Sequence, residues 1–177
     1  FPFKRYQIQP VWRADRPQKG RFREFTQCDA DIVGADSLWQ EVELLQLYNT
    51  IFSELGLKEQ HKVTVKLNNR KLLSGIAEAF GIADRLSSFM VILDKLDKIG
   101  SDGVIAELKS QGFDPSIWET LESFLDHSVS VASRLERLRK LFASSEIGTK
   151  GIDEMQFILD QAAQLSLDSL SLTFDLT

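Results

Sequence analysis

A chain of 177 residues with 43% hydrophobic and 27% charged residues can bury a real core, which excludes a disordered or fibrous polypeptide. Its net charge of −5 excludes binding to a polyanion by bulk charge alone, and its single cysteine, Cys28, excludes an internal disulfide. No run of roughly 18 apolar residues predicts a membrane span, and lone-cysteine usage fits a reducing, cytoplasmic setting.

The charge is unevenly placed. Residues 1–27 hold seven cations (Lys4, Arg5, Arg13, Arg16, Lys19, Arg21, Arg23) and two anions (Asp15, Glu24), so they carry +5 and the other 150 residues carry −10. In chain order, residues 5–14 alternate with a period of two and predict a strand, with Tyr6, Ile8 and Trp12 on the even side. The stretch RPQKGR predicts a turn, because Pro17 fixes φ and Gly20 admits positive φ. Residues 21–33 alternate again and complete an antiparallel hairpin. Its even side (Phe22, Cys28, Ala30, Ile32) is expected to face a core and its odd side to be polar.

A helix follows from Asp36 or Ser37, with Trp39, Val42, Leu45, Ile51, Phe52 and Leu55 at helical spacing, and stops at Gly56. HKVTVKLNN predicts a third strand of the same sheet. From Arg70 to about Ser166 the period is helical: 70–80, 83–98, 102–111, 115–126, 129–144 and 151–165, with SSEIGTKG expected as a loop. Asp114 and Pro115 mark a helix start. Ser169–Leu176 reads as a final strand. The expected class is α+β: an antiparallel sheet, partly represented at 1–69 and 167–177, with an all-helical domain inserted at 70–166. The chain lacks a starting Met and opens and stops inside strand-like patterns, so a fragment of a larger protein is expected.

The odd face of the hairpin carries the chemistry. Arg13, Arg23, Phe25, Gln27, Asp29 and Asp31 share it, with Arg21 at the turn. Guanidinium forks bind phosphate or carboxylate in bidentate fashion. Phe25 can stack on a flat ring. Gln27 and Asp31 can hold an amine or an imidazole. Such a row suits a nucleoside triphosphate beside a small cationic substrate; it is also what a solvated hairpin face shows, and the pattern leaves both readings open. His61 and His127 stand far apart beside one cysteine, so no metal site is expected. Arg134, Arg137, Arg139 and Lys140 in SRLERLRKLF can meet phosphates or line an ordinary solvated face.

VWRADRPQKGRFREFTQCDADIVG (Val11–Gly34) resembles motif 2 of the class II aminoacyl-tRNA synthetases, in the form found in histidyl-tRNA synthetases. RYQIQPVWR, VTVKLNNRKLL and LSLTFDLT resemble neighbouring stretches of that family, so the likeness spans the chain. It implies ATP-dependent activation of L-histidine with Mg2+ and transfer to tRNA(His), in a homodimeric parent. It implies that Arg13 contacts the ATP α-phosphate and the histidine carboxylate, with Arg21 and Arg23 by the β/γ-phosphates and Phe25 under adenine. Gln27 would bind the substrate's α-amino group and Asp31 its imidazole. Asp15 replaces the family's usual Glu, and Asp31 stands where many relatives carry Glu. The helical insertion would approach the tRNA. Family motifs 1 and 3 are absent, so this segment by itself is expected to be inactive. The alternatives are a non-catalytic regulatory or sensor paralogue and a helical interaction module.

Overall fold

A computed structural model describes residues 2–57, 63–126 and 128–176, so His61 and His127 lie outside the described residues. The chain forms two compact units, residues 1–40 and 41–177.

The first unit is built on a hairpin. Strand β1 (Phe3–Trp12) pairs antiparallel with β2 (Glu24–Val33), in a register running from Phe3 opposite Val33 to Trp12 opposite Glu24. Pairing continues where the amide of Arg13 donates to the carbonyl of Arg23 (2.9 Å). At the tip, Gln18 and Arg21 exchange backbone hydrogen bonds of 3.2 and 2.9 Å. Gly20 sits there at φ +78°, a left-handed conformation that favours glycine. Helix α1 (Trp39–Glu54), nearly all of it in the second unit, is capped by Ser37, whose Oγ accepts from the amide of Trp39 at 3.3 Å.

The described residues of this chain leave most of the even side of the hairpin uncovered. Tyr6, Ile8, Trp12 and Phe22, read as core, are 63 to 79% exposed, and Cys28 is exposed. Gln7, Val11, Phe25, Gln27 and Asp29 on the odd side are half-buried. Alternation tells which side chains share a face; it does not tell what covers that face.

In the second unit β3 (Val63–Leu67) pairs with β4 (Leu170–Phe174), Val63 opposite Leu170 and Leu67 opposite Phe174. Here the expectation of a third strand in the hairpin's sheet is corrected: among the described residues β3 and β4 form their own two-stranded parallel pair. A parallel pair needs a long crossover, and the helical block supplies it. Periodicity identifies a strand without naming its neighbour.

The block comprises α2 (Arg70–Ala79), a 3-10 turn (Ala83–Arg85), α3 (Leu86–Leu93), α4 (Leu96–Ser110), α5 (Ser116–Leu125), α6 (Val131–Leu141) and α7 (Glu146–Ala163). Residues 83–98, expected as one helix, are broken before Leu96, and Gly100 kinks α4 at φ 67°, ψ 177°. Asp114 accepts the amide of Ser116 at 2.9 Å, which holds its carboxyl below the ordinary carboxylate range. SSEIGTKG is not a loop: Ser145 caps α7, its Oγ accepting from Gly148 N at 3.0 Å. Gly148 and Gly151 act there as points of helix contact. A β-carbon on Gly75 of α2 would lie 2.5 Å from the Gly148 Cα, and one on Gly151 would lie 2.9 Å from the Leu72 amide. The core centres on Leu72, Ile76, Phe89, Leu108, Phe142 and Met155.

Glu154 on α7 accepts from Asn69 Nδ2 at 2.9 Å and pairs with Lys71. Burial raises its pKa, but the hydrogen bonds from Lys71 and Asn69 outweigh burial and bring it below 4.5. A depressed carboxylate contributes stability above its unfolded pKa and loses it as pH falls through the folded one. Glu154→Gln should therefore cost about 1 kcal/mol in urea unfolding at pH 7, and the difference should vanish as the pH falls below that range. A gap that persists in acid would contradict this ion pair.

Candidate functional site

The register brings the odd residues of both strands onto one face. Val11 stands opposite Phe25, Gln9 opposite Gln27, Gln7 opposite Asp29 and Arg5 opposite Asp31. Three groups of contacts occupy that face in order from the turn.

The first surrounds Asp15. Arg23 Nε donates to the Asp15 carbonyl at 3.3 Å, and Arg21 Nε lies 4.0 Å from its carboxylate. Asp15 thus gathers both arginines at the turn end. These side chains are exposed, so the ion pair adds little stability and competes weakly with a phosphate.

The second group joins Arg13, Phe25, Gln27 and Asp29. Arg13 Cζ lies 4.9 Å from the Phe25 ring centroid, within cation–π range. Arg13 Nη2 donates to Gln27 Oε1 at 2.8 Å, and Gln27 Nε2 donates to Asp29 Oδ1 at 2.6 Å. Arg13 follows β1 and the others lie on β2, so closing the hairpin assembles the cluster. Gln27 is held from both ends, which fixes its amide for an incoming group. Arg13 is exposed and keeps guanidinium donors for an anion.

The third group lies farther from the turn and is exposed. Arg5 Nε pairs with Asp31 Oδ2 at 3.1 Å, and Arg5 also donates to Gln7 Oε1. Of the hairpin residues singled out from the sequence, Arg13, Phe25, Gln27 and Asp29 join in one group, Arg21 and Arg23 meet Asp15 at the turn, and Asp31 is joined by Arg5, with Gln7 beside it. Asp29 was on the odd face but had no role; it now anchors Gln27. The pairing rule was the signal: opposite positions sum to 36, which puts Arg5 across from Asp31.

The basic run on α6 is corrected in part. Arg134 is 1% exposed, with Nη1 donating to the carbonyls of Phe124 (3.2 Å) and Phe174 (2.9 Å), so it presents nothing to a phosphate. Arg139 pairs with Asp153 at 2.7 Å, and Lys140 with Glu136 at 3.2 Å. Among the described residues no helix is long and apolar enough to cross a membrane.

The histidyl-tRNA synthetase family model matches residues 4–177. The histidine–tRNA ligase of Flavobacterium johnsoniae is 55% identical over the whole chain, and that of Christiangramia forsetii 52%. The chain spans 37 to 38% of the length of these relatives. A crystal structure of histidyl-tRNA synthetase from Nostoc sp. PCC 7120 superposes with a TM-score of 0.84 at 30% identity, over 99% of this chain and 40% of that one. A Bacillus halodurans structure described as an ATP phosphoribosyltransferase regulatory subunit/histidyl-tRNA synthetase has a TM-score of 0.75, covering 99% of this chain and 44% of that one; at 18% identity it shows the fold alone. Together with the α+β architecture and the assembled hairpin face, the match along almost the entire chain has one meaning: the chain belongs to the histidyl-tRNA synthetase family.

Proposed function

We propose that this chain is the part of a class II histidine–tRNA ligase that carries motif 2 and the helical insertion. In this reading it serves the ATP-dependent activation of L-histidine and its transfer to tRNA(His). The observation that carries the reading is the joined Arg13–Phe25–Gln27 cluster, which offers an anion donor, a flat ring and an oriented amide on one face.

In the reaction, a histidine carboxylate oxygen bonds to the ATP α-phosphorus, the bond to the bridging oxygen breaks, and pyrophosphate leaves. Arg13 stabilises negative charge on the α-phosphate and orients the carboxylate, by fixed electrostatics and without moving a proton. Phe25 stacks under adenine. Arg21 and Arg23 hold the β/γ-phosphates, with Asp15 keeping them together. Gln27 accepts from the substrate α-amino group, and Asp31, once released by Arg5, meets the imidazole. Mg2+ would arrive with the triphosphate. The phosphate end offers arginines and the arginine-bound Asp15, which do not make a cation site, so no step is assigned to the metal.

Residues 1–69 and 167–177 belong to the catalytic core in this reading. Residues 70–166 form the insertion that approaches the tRNA, and the whole enzyme is a cytoplasmic homodimer. The parallel adjacency of β3 and β4 supports it, since the helical block leaves one strand and returns to its neighbour. A non-catalytic paralogue need not keep Arg13, Phe25 and Gln27 together.

Histidine-dependent ATP–pyrophosphate exchange tests the reading. Exchange is expected in a polypeptide of the relatives' full length that contains this chain, and none in the chain by itself. Silence in both would overturn it.

A further inference from the structure

Arg134 is a buried charge that the proposed chemistry does not use. Its side chain is 1% exposed. Nη1 donates to Phe124 O in the last turn of α5, where helix carbonyls lack an intrahelical partner, and to Phe174 O at the end of β4. Its Cζ lies 5.4 Å from the Phe174 ring centroid, and its Nε has no hydrogen-bond partner among the described residues. The next residue, Asp175, is 3% exposed, donates its amide to Leu67 O at 3.0 Å and pairs with Lys66 of β3 at 2.7 Å. Asp175 and Asp126 are the acids whose charges act on Arg134.

A buried ion is a poor source of net stability, because an apolar side chain of similar size is often as good. What a guanidinium supplies is direction: donors at fixed angles can bind two carbonyls at once. Here the two carbonyls belong to elements that the sequence separates by 50 residues, Phe124 and Phe174. The direct α2–α7 contact is made at other residues, Gly75, Gly148 and Gly151, with Phe142 at the end of α6 packed against it.

We propose that Arg134 is a clamp at the joint between the helical block and the β3–β4 pair: it fixes α5 and α6 to the exit of β4, and its release loosens that joint while the α2–α7 body stays folded. This inference does not rest on the function proposed above.

Segment-resolved hydrogen exchange on the full chain tests it, with Arg134→Met, which keeps an unbranched stem and removes the donors. Arg134→Lys, which keeps charge and removes the fork, is the second variant. Amides of β4, Asp175 and the last turn of α5 should exchange at least about tenfold faster in both. Amides of α2 and α7, including Ile76 and Met155, should keep their wild-type rates. Equal acceleration in α2, α7 and β4 would make Arg134 an ordinary core residue and overturn the proposal. Unchanged exchange at β4, or loss of folding in both variants, would overturn it too.

Discussion

Arg13→Ala, placed in a polypeptide of the relatives' length, is expected to lower histidine-dependent ATP–pyrophosphate exchange by about 10²–10³-fold or more. In the proposed function the alanine removes the donor that would face developing charge on the α-phosphate; it also removes the cation over Phe25 and one of the two anchors of Gln27. The first loss is felt most in the transition state, so kcat should fall more than the KM for ATP rises. Freeing Gln27 should raise the KM for histidine. Arg13→Lys should recover part of the rate, because a point charge replaces the fork without reproducing its two-pronged geometry. The unfolding midpoint should not move, since Arg13 is exposed. Near-normal exchange in the alanine variant would remove the central claim about this hairpin.

Gly75→Ala should destabilise the chain by about 2 kcal/mol or more in urea unfolding. Alanine improves helix propensity by about 1 kcal/mol, but overpacking a tight contact costs about 3 kcal/mol. The new β-carbon would stand 2.5 Å from the Gly148 Cα and 3.1 Å from the Phe142 ring. The first obstacle is backbone, and Phe142 is fully buried, so neither can turn aside. Gly148→Ala should act alike, since its β-carbon would meet the Phe142 ring at 2.7 Å. An alanine variant as stable as the parent would mean that α2 and α7 do not approach this closely.

Local pattern and turn chemistry made much of the molecule legible. The hairpin, its Gly20 turn, the Ser37 and Asp114 starts and the last strand are short-range signals, readable within a few residues. The shared odd face followed from the period of two, and the cluster of Arg13, Phe25 and Gln27 lies on that face.

The misreadings each involve a distant partner. SSEIGTKG, with its two glycines Gly148 and Gly151, read as a loop, because glycine weakens a helix when nothing else is known. The close approach of α2 makes them the residues that fit. Arg134 read as surface charge, because arginine seldom lies fully buried; two carbonyls, 10 and 40 residues away, hold it inside. Asp31 lies on the polar face as expected, and its pairing with Arg5 is a contact that the register sets. By itself the sequence determined most of the elements, the polar face and the family likeness, since those depend on neighbouring residues and alternation. Only the tertiary structure decided that β3 joins β4 in parallel, that Gly75, Gly148 and Gly151 let α2 and α7 meet, and that a guanidinium ties helices to strand. Strand partners, coverage and buried charge are set by contacts between residues far apart in the chain, and no local period encodes them.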